Sequence, residues 1–104
     1  MRRYGLIATL VLALAGCGGG SATTTTTTSA AQTLFVRNCA ACHRLAAANA
    51  SGSVGVDLDK LRPSEAATLK AIVEGPGNMP ALLLTGADAQ KVARYVAHVA
   101  GQSR

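Results

Sequence analysis

Cys39-Ala40-Ala41-Cys42-His43 decides how this chain is read. Residues three apart share one side of a helical turn, so the two thiols can face the same way, with an imidazole directly after the second. Each thiol can add across one vinyl group of a porphyrin, and His43 can then swing beneath the ring and offer a nitrogen to its iron. The spacing points to covalent attachment of a haem. The rival use of a CxxC pair is thiol redox chemistry or metal binding without haem. A thioredoxin-like site would require a βαβ pattern around the motif, and none surrounds it.

Upstream, helical character begins near Gln32, and Phe35 stands one turn before Cys39 on the same helix face. Downstream, the alanine-rich stretch ending in Asn49-Ala50-Ser51-Gly52-Ser53 reads as a loop. An irregular apolar segment follows, Val54-Gly55-Val56-Asp57-Leu58 and Leu61. Pro63 suits the first turn of a second helix, carried by Ala66, Leu69, Ile72 and Val73 and stopped at Gly75-Pro76. Thr85 and Asp88 match a capping signal for a last helix to about Ala100. Its apolar positions are Ala89, Val92, Ala93, Val96 and Val99, and Gly101 is its stop.

The full sequence of 104 residues allows a single domain. Hydrophobic residues make up 49%, but 21 of them are alanine and the only aromatics are Tyr4, Phe35 and Tyr95. A domain of about 70–80 residues or fewer rarely assembles enough apolar core and usually needs a staple. A buried haem would supply both staple and core. The formal charge is +5; without Arg2 and Arg3 the ten basic residues become eight against five acidic, a balance of +3. No basic run with interleaved aromatics occurs, so a nucleic-acid partner is not expected.

The N-terminus has its own logic. Met1-Arg2-Arg3-Tyr4 is a short positive region and Leu6 to Ala15 a ten-residue apolar one. That is shorter than the ~20 residues of a membrane-spanning helix and reads as a secretory signal. Gly18 to Ala31, with six consecutive threonines to Thr28, is expected to be a flexible polar tether. Its root-mean-square reach is about 20 Å.

The iron calls for a second axial ligand, and methionine is the common partner of histidine in electron-transfer haem proteins. With Met1 removed along with the signal, Met79 is the candidate, in Gly75-Pro76-Gly77-Asn78-Met79-Pro80. The glycines let backbone approach a porphyrin closely, and the prolines restrict the loop. Met79 could instead be a gap-filling core residue, but it lies off any periodic apolar face. His98 is the only other histidine and a rival ligand, more simply read as a surface residue of the last helix.

Leu14-Ala15-Gly16-Cys17 resembles the lipobox of bacterial lipoproteins. That resemblance implies cleavage before Cys17 and lipid attachment to it, with more than one acyl chain for stable anchoring. The haem motif, the Gly77-Asn78-Met79-Pro80 loop and the downstream Tyr95-Val96 together resemble class I c-type cytochromes of the small bacterial monohaem kind, over about Ala31 to Gly101.

The resemblance implies an all-α fold, three to four helices wrapped around one covalently bound haem c. The first and last helices would cross near Phe35 and Tyr95, and a middle helix would flank the haem. It implies Cys39 and Cys42 as haem attachment points, His43 and Met79 as axial iron ligands, and one open haem edge as the electron port. Where the family carries Gly-Pro-x-Leu, this chain has Gly55-Val56-Asp57-Leu58. The Val56 carbonyl can accept the hydrogen bond from His43, without the rigidity of proline.

The expected organisation is a lipoprotein signal over 1–16, a lipidated Cys17 and tether over 17–31, and the cytochrome domain over 32–104. The expected role is that of a non-enzymatic, monomeric electron carrier. It would be exported and anchored to the cell membrane, facing the periplasm or cell exterior, between membrane-associated donor and acceptor proteins. Arg37, Arg44, Lys60, Arg62 and Lys70 would favour an acidic docking partner. Two alternatives stay open: a haem protein with a labile Met79 that reacts with a small gas or peroxide, and a fixed cytochrome subunit of an oxidase or reductase complex.

Overall fold

The computed structural model describes residues 20–102, and side-chain surroundings from residue 28 onward. The expected signal segment 1–16 and the expected lipid site Cys17 lie outside the described residues. The elements run α1 (Gly20–Asn38), β1 (Arg44–Leu45), a short 3-10 turn (Ala46–Ala48), β2 (Ala50–Ser51), α2 (Leu58–Leu61), α3 (Glu65–Glu74) and α4 (Gly86–Val99). The architecture is mostly helical, as expected, with one two-stranded antiparallel hairpin. Among the described residues no helix is long and apolar enough to cross a membrane.

Helix α1 places Ala31, Phe35 and Cys39 four residues apart on one buried line. The sequence reading starts this helix near Gln32, with a flexible tether before it; the helix instead begins at Gly20 and takes in the threonine run. Threonine is a poor helix former, but the costly step is nucleation. Once the packed turns at Ala31 and Phe35 exist, extension costs little per residue. The hydroxyl of Thr33 is absorbed by donating to the carbonyl of Ser29 at 3.0 Å. At the other end Asn38 Nδ2 donates to the carbonyl of Leu34 at 2.8 Å, and Arg37 complements the negative end of the helix dipole.

The stretch expected as a loop after the haem motif is the hairpin, with Arg44 opposite Ser51 and Leu45 opposite Ala50. The fully buried Leu45 pins it to the core. Helix α2, inside the segment expected to be irregular, is a single turn. Asp57 caps it by accepting from the backbone N–H groups of Asp59 and Lys60. The Asp59 carboxylate joins three parts of the chain: Oδ2 accepts from Ala46 N and Oδ1 from Gly101 N, each at 2.9 Å.

Helix α3 starts at Glu65, two residues after the proline expected at its first turn. Ser64 is the N-cap and accepts from Ala67 N at 3.1 Å, while Pro63 precedes it. The buried residues of α3 are Thr68 and Ile72, with Leu69 partly buried and Ala66 and Val73 exposed. The inward face is therefore turned from the one read off the apolar spacing, because the buried Thr68 satisfies its hydroxyl within the helix by donating to Ser64 O at 2.8 Å. Helix α4 buries Ala89, Val92, Ala93 and Val96 as expected, and adds Tyr95. Thr85 stands at its N-cap, yet its side chain makes no capping bond. Asp88 pairs instead with Lys91 at 3.8 Å.

Helices α1 and α4 pack together with the Phe35 and Tyr95 rings in tilted contact, centroids 6.3 Å apart and planes at 59°. Phe35, Leu45, Val92 and Val96 are the most deeply buried large side chains. Truncating a buried phenylalanine costs about 3–5 kcal/mol. Phe35→Ala should lower the unfolding free energy of the haem-loaded protein by that amount, measured by urea titration of helical circular dichroism.

Candidate haem site

Past the end of α1 at Asn38 the chain continues in tight turns through the haem motif. Cys39 N donates to Phe35 O at 2.8 Å, Cys42 N to Cys39 O at 3.1 Å and His43 N to Cys39 O at 3.0 Å. These consecutive turns place Cys39, Cys42 and His43 on one wall of a cavity of about 730 Å³. Met79, 36 positions beyond His43, lines the same cavity with its neighbours Pro76, Asn78 and Pro80. Val92 and Val96 of α4 and Ala67, Thr68, Ala71 and Ile72 of α3 supply much of the rest. All four residues expected to meet a haem thus converge on one mainly apolar space. His98 is exposed on α4 and is not among the lining residues.

His43 is held by its far nitrogen. Nδ1 lies 2.9 Å from the carbonyl oxygen of Val56. A carbonyl can only accept, so Nδ1 carries a proton, and in the neutral ring this tautomer leaves the Nε2 lone pair free. Beside it, Gly55 is required by space: a Cβ there would come within 2.7 Å of His43 Cε1 and 2.9 Å of Nδ1. Gly52 is required likewise, since a Cβ would meet the Cys42 carbonyl carbon at 2.5 Å. The Gly55 N–H donates to Cys42 O at 2.7 Å, closing the loop onto the motif. Sequence reading located the Val56 carbonyl but not the packing role of Gly52 and Gly55. Their only signal was a glycine in the polar loop at Gly52 and another in the apolar segment at Gly55.

The Met79 loop is set by Gly75, the left-handed C-cap of α3 at φ 61°, where a Cβ would meet Ala81 N and Met79 O at 2.5 Å. Met79 N donates to Pro76 O at 3.1 Å and Leu82 N to Val73 O at 3.2 Å. The first bond closes a turn within the loop, and the second ties the loop back to α3 beyond the thioether.

The cysteines are not bridged to each other. Cys39 is buried and Cys42 exposed. Burial, with Cys42 adding a smaller push, raises the Cys39 thiol to about 11. A redox or nucleophilic cysteine needs a stabilised thiolate, so burial opposes such chemistry at Cys39. Among the described residues no cluster of three His, Cys, Asp or Glu side chains could hold a metal ion.

The donor set suits haem. Two thiols sit one turn apart, an imidazole presents Nε2 and a thioether faces the same space. The apolar cavity also falls within the ~300–1,000 Å³ typical of cofactor sites. This fold and site define a small c-type cytochrome. Residues 26–96 match the family described as cytochrome c oxidase, cbb3-type, subunit III, and the chain belongs to that family. The crystal structure of the c-type cytochrome SorU from Sinorhizobium meliloti is similar at a TM-score of 0.70 and 36% identity, with 77% of this chain and 98% of that one covered. No curated protein sequence matches. The protein therefore has the cytochrome c fold, carries a covalently bound haem c with its iron, and works in electron transfer.

Gly55→Ala forces its methyl group into the imidazole. Overpacking of this kind costs about 1–3 kcal/mol. We expect that loss in urea unfolding of the holoprotein, together with a disturbed low-spin haem spectrum.

Proposed function

We propose that the protein is a lipid-anchored, single-haem electron carrier acting outside the cytoplasm. Cys39 and Cys42 would hold the haem as thioethers, His43 Nε2 and Met79 Sδ would be its axial ligands, and Cys17 would carry the lipid. The observation that carries this reading is the convergence of Cys39, Cys42, His43 and Met79 on one cavity, with His43 Nδ1 already committed to Val56. When bound, the haem supplies one-electron chemistry through its iron. The chain's own residues do the rest: the cysteines fix position, the Val56 carbonyl orients the imidazole, and Ile72, Val92 and Val96 exclude water.

With His43 and Met79 both holding the iron, no site would remain for a substrate, and the role would be transfer rather than catalysis. A methionine ligand favours a comparatively high potential. Arg37, Arg44, Lys60, Arg62 and Lys70 are all exposed, which suits an acidic docking partner. Helical residues 20–31 add about 18 Å of rise. That is close to the reach of a flexible tether of that length, and stiffer. It would lift the domain clear of the lipid surface.

Met79→Ala should abolish the methionine–iron charge-transfer band of the oxidised protein; persistence of that band would assign the ligand elsewhere.

Cys17→Ser should move the protein from the membrane fraction to the soluble exported fraction. The family's description as an oxidase subunit favours a second setting, a fixed place in a complex. Detergent extraction separates the two: a carrier migrates alone, whereas a subunit migrates with an oxidase.

A further inference from the structure

The carbonyl that orients His43 belongs to the loop of residues 54–57, whose Val54 and Val56 side chains line the cavity and whose backbone is tied by hydrogen bonds on both sides. On the upstream side the loop is tied by Gly55 N donating to Cys42 O at 2.7 Å. On the downstream side the buried Leu58 and the bonds of Asp59 to Ala46 and Gly101 anchor α2, and Asp57 joins that anchor to the Val56 carbonyl. The Asp57 backbone bridges alongside Arg44 in parallel. Its carboxylate Oδ1 accepts from Asp59 N at 3.0 Å and Lys60 N at 3.3 Å, and Oδ2 lies 3.8 Å from Arg44 Nε.

The Val56 carbonyl and the Asp57 nitrogen are parts of one planar peptide group. Whatever fixes Asp57 therefore fixes the direction in which Val56 O points. Resting on the reading of His43 as an iron ligand, we propose that Asp57 is a positioning residue for that ligand: its side chain clamps the start of α2 and thereby aims the Val56 carbonyl at His43 Nδ1. A hydrogen bond on the far nitrogen raises the basicity of a metal-bound imidazole. Through this link Asp57 lowers the reduction potential and protects the ring proton from solvent.

The test compares Asp57→Ala, Asp57→Asn and Ser64→Ala in the full-length haem-loaded protein. Asparagine keeps an acceptor oxygen for the cap and removes only the charge. Ser64→Ala removes the cap of α3 instead, a comparable structural loss away from His43. The readouts are deuterium exchange of the His43 Nδ1 proton, followed by NMR in the reduced state, and the reduction potential. Loss of the aim should speed exchange roughly tenfold in Asp57→Ala, the factor expected when about one net hydrogen bond is lost.

Its potential should rise above that of Asp57→Asn, while Asp57→Asn and Ser64→Ala keep wild-type exchange. Wild-type exchange in Asp57→Ala, or equal acceleration in Ser64→Ala, would reduce Asp57 to a helix cap and overturn the proposal. Ligation itself is read separately, from the ring-current shift of the His43 carbon-bound protons in the wild type. Its absence would remove the ligand assignment, while the exchange comparison still decides whether Asp57 holds the ring.

Discussion

The hydrogen bond from His43 Nδ1 to the Val56 carbonyl is the constraint around which the rest of this small domain is arranged. It joins a local motif to a loop 13 residues away and selects the tautomer that leaves Nε2 free. Nearby features follow from it. Gly55 has no side chain because the imidazole occupies that space, and Gly52 has none because the Cys42–His43 backbone does. The hairpin of β1 and β2 returns the chain between them, with Leu45 as its buried anchor.

The same economy governs the core. With Phe35 and Tyr95 the only aromatics in the described residues, the apolar side chains of α1, α3 and α4 form a shell around a cavity of about 730 Å³. Small residues at Ala31, Ala89 and Ala93 allow α1 and α4 to approach closely, and the Phe35–Tyr95 contact sets where they meet. Asp59 then ties the hairpin, α2 and the end of the chain with two charge-assisted bonds. Cofactor attachment and chain folding are in this way one problem: Cys39 belongs to the buried line of α1 and to the cavity wall alike.

Much was legible in the sequence where the signal is local. The pentapeptide, the Met79 loop and the apolar spacing of α4 each rest on a few neighbouring residues, and each lies where it was expected. The missed features depend on distant partners or on competition between weak preferences. The threonine run reads as a tether because threonine is a poor helix former, yet α1 starts at Gly20. The inward face of α3 reads as Ala66, Leu69, Ile72 and Val73, yet Thr68 is buried because its hydroxyl can bond within its own helix. Thr85 and Asp88 match a capping pattern that the geometry at the start of α4 leaves unused.

By itself the sequence determined the chemistry: two thiols and an imidazole at a spacing that local backbone geometry turns toward one group, and a thioether in a glycine- and proline-bearing loop. Only the tertiary structure brought Met79 to the same cavity and decided how those groups are held. Nothing near His43 in the chain says that Val56 supplies its acceptor, that Gly55 clears its space, or that Asp57 steadies the peptide between them. Spacing along a helix is a property of neighbours, whereas the aim of a carbonyl depends on how the loop bearing it is pinned by elements far away in sequence.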